Sequence, residues 1–316
     1  MYLSDTIVNH LREVAAEPDL SGTGYELIRR IGQGGMGAVY LARDVDLDRE
    51  VAIKVSLLPA GSPADVIASS GGALAERLKR EAKFIARLEH PGIVPVHDAG
   101  MLSDGRVFYV MKLVRGERFD DWAPTRELRE RLRLFRRVCE AVAFAHAHEV
   151  LHLDLKPENV MVGAFGEALV MDWGLARLVS ETSGGGVEGT PAYMAPEQMR
   201  GEQPTSRTDV YGLGAILYAL LSGEPPGKTP APLRRDVVPA PVISICAKAM
   251  QANAADRYAS ASELGDDVAR FLEQEPVHAH PETVLEKLHR FAARNSVVLT
   301  LVGVYLLVRL LLILLP

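Results

Sequence analysis

One eight-residue block limits the architectures open to this chain more than any other feature. His152-Leu153-Asp154-Leu155-Lys156-Pro157-Glu158-Asn159 follows a long amphipathic stretch and precedes two short apolar runs, 160–162 and 168–171. These runs read as a hairpin around Gly163 and Gly166, and Asp172-Trp173-Gly174 stands at its far end. Two such blocks at this separation, with a hairpin between them, do not arise readily by chance. The chain has 316 residues, 48% of them apolar, enough to bury a large core in about two lobes or domains.

A second group of motifs lies upstream. Ile31 leads into Gly32-Gln33-Gly34-Gly35-Met36-Gly37-Ala38-Val39, which fits G-x-G-x-x-G-x-V. Glycines let backbone lie close over phosphates, with amide N–H groups as donors, although a plain tight hairpin can carry the same pattern. Val51-Ala52-Ile53-Lys54 then places a lysine at the end of an apolar strand, within reach of α- and β-phosphates. Taken alone it could be a solvated strand-end lysine. Glu81, on a helix with an apolar face, is its natural partner, and Glu76 is the alternative. In the block at 152–159, Asp154 is placed to accept or orient a hydroxyl proton, Lys156 to neutralise a transferring phosphoryl group and Asn159 to coordinate a second Mg²⁺. Asp172 supplies a hard carboxylate oxygen for Mg²⁺ bridging the phosphates.

Periodicity gives the organisation. Residues 1–24 read as an extension with a short helix. Strand composition runs through 25–55, then 59–72 is a Gly/Ser/Ala/Pro-rich insertion. A helix is predicted over 73–88 and strands over 93–94 and 107–111. The first lobe, 25–114, is therefore a sheet plus one helix. The second, 115–275, is mainly helical, with helices predicted at 128–150, 209–221, 242–250 and 262–272. Residues 276–295 read as a linker, helical over 281–295.

With these motifs in place, the chain resembles bacterial eukaryotic-like Ser/Thr protein kinases across 25–275. The Asp-Trp-Gly form and the run at 159–167 look like the membrane-anchored kinases of planctomycetes and myxobacteria. The resemblance implies a bilobal α+β protein kinase fold and transfer of the ATP γ-phosphoryl group to Ser/Thr hydroxyls of proteins. It implies ATP and Mg²⁺ as cofactors, with Mn²⁺ as an alternative. Gly189-Thr190-Pro191-Ala192-Tyr193-Met194-Ala195-Pro196-Glu197 matches the segment that ends in Ala-Pro-Glu. Thr190 would then sit by Asp154 and Lys156, Glu197 would pair with Arg257, and Asp209 would cap the catalytic loop. Met111 would line the back of the adenine pocket, the backbone of Lys112 to Val114 would be the hinge, and Ala52 and Met161 would sandwich the ring.

Three departures stand out. Leu153 replaces the usual arginine and cannot make a charge-assisted bond to an activation-loop phosphate. Trp173 replaces phenylalanine and is expected to pack near Ile85, Val96 and His152. Six prolines between 222 and 241 argue against a long helix there. Two other readings compete. A nucleotide-binding scaffold would not need the full charge set, and the segment at 189–197 builds a peptide-binding surface that a small-molecule phosphotransferase would not need.

At the C-terminus, 297–315 holds fifteen strongly apolar residues, at roughly −0.4 kcal/mol each about −6 kcal/mol in total. Arg309 opposes with at most about +3 kcal/mol, so 296–316 is expected to be a transmembrane helix. Lys287, Arg290 and Arg294 before it place the kinase lobes on the cytoplasmic side of the cell membrane as a single-pass protein. A net charge of −6 gives no general footprint for nucleic acid. Cys139 and Cys246 read as buried reduced thiols. A homodimer is left open.

Overall fold

The computed structural model describes residues 17–33, 37–56, 72–178, 189–227, 230–284, 286–288 and 295–314. The expected N-terminal helix, Gly34, Gly35 and Met36 of the glycine turn, most of the insertion at 59–72, and Arg290 and Arg294 fall outside them.

Side-chain alternation builds the smaller lobe. β1 (Tyr25–Gln33), β2 (Gly37–Asp44), β3 (Arg49–Ser56), β4 (Val96–Met101) and β5 (Val107–Lys112) form one antiparallel sheet, ordered β1-β2-β3-β5-β4. Val51, Ile53 and Val55 project to its outer face and pack with Tyr40, Ala42, Phe108 and Val110. Ala52 and Lys54, one residue out of phase, project to the inner face. α1 (Gly72–Ala86) covers that face with Leu78, Ala82 and Ile85, one helical stripe, and carries buried Glu81 beside them.

The expected strand at 93–94 does not form. Pro91 and Pro95 bracket it, and proline lacks the N–H that a ladder requires. Ile93 instead makes an isolated bridge to Val170. The fourth strand lies just after it, where Val-His-Asp-Ala-Gly-Met carries little strand signal.

Where the chain passes between lobes, β6 (Gly116–Arg118), β8 (Val160–Gly163) and β9 (Ala168–Val170) form a small sheet, and β7 (Val150–Leu151) pairs with β10 (Arg177–Leu178). The larger lobe is helical. α2 (Leu128–Ala147) buries Leu132, Phe135, Val138, Cys139 and Val142 at three- and four-residue spacing. α3 (Ser206–Ser222) is buried on all sides from Thr208 to Tyr218, as befits the centre of a lobe, and Gly223 at φ 82° ends it in the left-handed conformation. α4 (Ala240–Ala249) and α5 (Ala261–Leu272) complete the bundle. Between α3 and α4 the described residues hold no helix, in keeping with the prolines there. Cys139 and Cys246 are free and buried, and burial pushes both thiols up.

Past α5 the chain is strapped to the lobe. Buried Asp267 accepts bonds from the N–H groups of His278 (2.8 Å) and Ala279 (2.9 Å), and His280 Nδ1 lies 2.9 Å from Ser244 Oγ. α6 (Ser296–Leu314) follows, and its side chains are exposed over 300–310. Counted over the described residues, no helix is long and apolar enough to cross a membrane, so the expected transmembrane helix at 296–316 is not shown.

Candidate active site

Two side-chain clusters meet in a cavity of about 640 Å³ between the lobes. The first is built on β3. Its register sets Lys54 opposite Val39 on β2 and Tyr109 on β5. Lys54 Nζ donates to Glu81 Oε1 (2.8 Å) and Oε2 (2.9 Å) and to Asp172 Oδ1 (2.8 Å). Tyr109 Oη donates to Glu81 Oε1 at 2.8 Å, a contact no sequence pattern announced. Burial opposes the Lys54 cation, but Tyr109, Glu81 and Asp172 outweigh it and hold its pKa well above the ordinary lysine value. Burial and the Asp172 charge push Glu81 up despite Lys54. Burial likewise opposes the Asp172 anion, yet Lys54 holds its carboxyl below the usual range. The lysine is thus fixed as a cation aimed into the cavity. Glu76 pairs with Lys79 at 2.9 Å on the exposed side of α1 and is not the partner.

The second cluster is the block at 152–159. Asp154 Oδ1 accepts from Thr190 N (2.9 Å) and Thr190 Oγ1 (2.8 Å). Its Oδ2 accepts from Lys156 Nζ (2.8 Å) and Asn159 Nδ2 (3.2 Å). Lys156 Nζ also donates to Thr190 Oγ1 at 2.7 Å. Asp154, Lys156 and Thr190 therefore close a triangle around which a hydroxyl-bearing group can be held.

Backbone conformation makes this triangle possible. Leu153 has φ 65° and Asp172 φ 56°, the left-handed region that non-glycine residues seldom enter. Asp209 holds the first turn from α3. Its carboxylate accepts the N–H groups of His152 and Leu153, both at 2.8 Å, and lies 2.7 Å from His146 Nε2. Burial raises the Asp209 pKa, and His146 with His152 more than reverses it, leaving the group lowered. Gln198 Nε2 donates to Leu153 O at 2.9 Å and closes the turn from the other side. Buried His152 joins the two blocks. Its Nδ1 accepts the Asp154 N–H (3.2 Å), so its Nε2 carries the proton given to Met171 O (3.0 Å), and its ring lies 4.6 Å from that of Trp173. Trp173 is buried in the core cluster with Ile85, and Val96 packs against that cluster, as expected.

Glu197 and Arg257 form a bidentate pair at 2.6 and 2.8 Å, both buried, with Thr208 Oγ1 3.0 Å from Glu197 Oε1. Burial opposes ionisation of Glu197, and Arg257 overrides it, lowering the pKa. The pair underpins the segment that carries Thr190.

The nucleotide-facing residues divide. Gln33, Gly37, Val39, Lys54, Met111 and Met161 line the cavity. A Cβ on Gly37 would stand 2.5 Å from Val55 O, so no other residue fits there. Ala38 alternates with Gly37 and Val39, and its side chain lies in the outer core, which leaves only its backbone toward the turn. Ile31, Gly32, Ala52, Lys112 and Val114 do not border the cavity. Ala52 shares the inner face with Lys54 but is covered, at 4% exposure. Ile31 and Gly32 lie on β1 ahead of the turn, and the N–H of Lys112 is taken by Pro95 O at 3.1 Å.

The donor set suits a hard divalent cation. Asp172 is half-exposed to the cavity with one oxygen on Lys54 and the other available. Asn159 spends its amide nitrogen on Asp154 O (2.8 Å), which leaves its side-chain carbonyl to face a metal. Among the described residues no group of three or more His, Cys, Asp or Glu could hold a metal by themselves. One or two protein oxygens with phosphates completing the shell are what Mg²⁺ takes.

Comparisons with known proteins agree with this geometry. A protein kinase domain model matches residues 25–275. Serine/threonine-protein kinase PknD of Protochlamydia amoebophila is 33% identical over 304 residues, covering 79% of this chain and 30% of its own. PknD of Chlamydia trachomatis serovar D is 35% identical over 318 residues, covering 83% and 33%. PknB of Mycobacterium tuberculosis is 36% identical over 282 residues, covering 81% and 44%. The chain thus spans about 30–44% of the length of these relatives. A kinase model over 25–275 and a cavity holding the Lys54–Glu81–Asp172 and Asp154–Lys156–Thr190 clusters lead to one conclusion: the chain belongs to the protein kinase family, in its bacterial eukaryotic-like Ser/Thr branch.

Proposed function

We propose that the chain transfers the γ-phosphoryl group of ATP to serine or threonine hydroxyls of proteins, and does so anchored in a membrane. One observation carries the first part: Asp154 bonds at once to Lys156 and to Thr190, in the same cavity as a lysine locked by Glu81. The substrate hydroxyl enters beside Asp154, which orients it and accepts its proton. Its oxygen bonds to the γ-phosphorus as the bond to the β–γ bridging oxygen breaks, and ADP leaves with that oxygen. Lys156 offsets charge on the transferring group, and Lys54 holds the α- and β-phosphates. The adenine end of the cavity is apolar, with Val39, Met111 and Met161 in its wall. Asp172 and Asn159 would hold Mg²⁺, which neutralises phosphate charge when bound. A scaffold without catalysis would have no use for Lys156 bridging Asp154 and Thr190.

Membrane anchoring rests on α6. Its 19 residues span about 28 Å, close to a bilayer's hydrocarbon core of about 30 Å. Leu301, Val304, Leu307 and Leu310 are exposed, and Arg309 is the one charged residue over 296–316. The apolar residues at 297–299 and 311–315 extend that stretch at both ends. Lys287 on the preceding segment favours the cytoplasmic face for the lobes.

Full-length chain with γ-labelled ATP, Mg²⁺ and a generic protein substrate tests the chemistry: acid hydrolysis should release labelled phosphoserine or phosphothreonine. Label in neither rules out the transfer. Alkaline extraction of membranes tests the anchor, which predicts that the chain stays in the pellet. Release into the supernatant rules it out.

A further inference from the structure

We infer that the turn between β8 and β9 is a membrane-contact finger, with Phe165 dipping into an anionic lipid surface beside a stripe of arginines. Phe165 is 96% exposed at the tip of that turn, the most exposed of the large apolar side chains among the described residues. A loose loop could hide such a side chain, but this turn is held from several sides. Gly163 N donates to Glu167 O (2.9 Å), Gly166 N to Gly163 O (2.9 Å), and Phe165 N to Glu167 Oε2 (3.1 Å). Ala164 N donates to Arg115 O (3.2 Å), tying the turn to the segment just before β6. Arg137 Nη1 donates to Gly166 O at 2.5 Å, tying it to α2. The aromatic ring is thus presented to solvent on a fixed mount.

The mount continues as a charged stripe. Arg129, Arg133 and Arg137 follow at four-residue intervals along α2 and share one face. All three are exposed. Arg137 grips the finger, and Arg129 Nη2 donates to Leu272 O, at 2.5 Å, at the end of α5 where the chain leaves the lobe. Finger and exit are therefore joined by about 12 Å of helix. Beyond the exit, Val284 and Leu288 are 82% and 64% exposed. Two of the acidic groups near the stripe are already engaged, Glu140 with Arg136 at 3.5 Å and Glu167 through its Oε2 with the finger, while Glu130 stands beside the stripe. A convex apolar tip with guanidinium groups behind it fits an interface in which acyl chains lie beneath phosphate headgroups. An acidic protein would match the arginines, but it would leave the protruding ring without a pocket on this side.

The inference rests on membrane anchoring by α6 only for the nearness of a bilayer, and the test separates the two. Phe165→Trp in the full-length chain is reconstituted into vesicles of neutral lipid, or of neutral lipid with one-third phosphatidylglycerol, each with brominated acyl chains. Emission from Trp122 and Trp173 is subtracted using the unsubstituted protein, which leaves the signal of the introduced indole. The expected result is quenching of that signal by at least twofold in the anionic vesicles, reduced to the neutral-vesicle level by Arg133→Gln with Arg137→Gln. Co-sedimentation with equal emission in brominated and plain vesicles overturns the finger while α6 anchoring stands. Failure to co-sediment overturns the anchor. A shift of the introduced indole's emission on adding polyglutamate, with none on adding anionic vesicles, assigns the surface to an acidic protein and overturns the lipid reading.

Discussion

Asp209 Oδ1 accepts the N–H of Leu153 at 2.8 Å and thereby keeps that residue at φ 65°. A left-handed leucine is strained by roughly 1–3 kcal/mol, and it persists only when its surroundings fix it. The strain is what turns Asp154 toward Thr190. Asp209→Ala removes the acceptor of three buried bonds. We predict destabilisation of about 2–4 kcal/mol by chemical denaturation. Phosphoryl transfer should fall at least tenfold with the KM for ATP little changed, since Lys54 and the apolar end of the cavity are untouched.

The same carboxylate sets an acid limit. Asp209, Asp172 and Glu197 all have folded-state pKa values below their ordinary ones. A depressed carboxylate stabilises the fold above its unfolded pKa, about 4, and that contribution is lost as pH falls through the folded value. Thermal unfolding followed from pH 7 downward should show stability falling below about pH 4. Asp209→Asn should be less stable at pH 7 and show a shallower fall. An unchanged slope in the variant would contradict the assignment.

Leu153 lies in an apolar cluster with Leu151 and Leu175, where an arginine would reach for a phosphate. No charged group at 153 can reward phosphorylation of the segment before Thr190. Phosphatase-treated and autophosphorylated protein should differ by less than about twofold in kcat, compared by steady-state kinetics. A large loss on dephosphorylating Thr182 or Ser183 contradicts this. Leu153→Arg should lower stability by about 2–4 kcal/mol, because it buries an unpaired charge.

Glu197 and Arg257 are a buried bidentate pair. Breaking it with Arg257→Ala leaves an uncompensated carboxylate and should cost about 3–5 kcal/mol. Replacing both members with well-packed apolar residues should recover much of that loss, as measured in urea.

Much of this was legible in the chain. The two charged blocks and the hairpin between them located the centre of the site, and Glu81 could be chosen over Glu76 because it shares the stripe of Leu78 and Ile85. The less legible parts have physical reasons. β4 was missed because its pairing with β5, rather than its composition, makes it a strand. Gly100 within it admits the Phe108 ring 2.8 Å from where a Cβ would stand, a constraint visible only in three dimensions. The motif groups Ala38 with its glycine-rich neighbours, and alternation along β2 turns its side chain outward, a distinction the motif does not carry. Tyr109 and Gln198, which brace Glu81 and Leu153, lie 28 and 45 residues from their partners, and local patterns do not encode such separations. α6 was legible as an apolar segment, but what surrounds it is not a property of the chain.

Asp154 is the residue on which the proposed transfer depends. The direct measurement is label transfer from γ-labelled ATP to protein by full-length chain and by Asp154→Asn, prepared together and matched for thermal stability and nucleotide binding. Loss of a positioned base predicts a fall of about 10²–10⁴-fold in transfer with ATP binding intact. Equal transfer by the two proteins, or no transfer by the unsubstituted chain, would contradict the account.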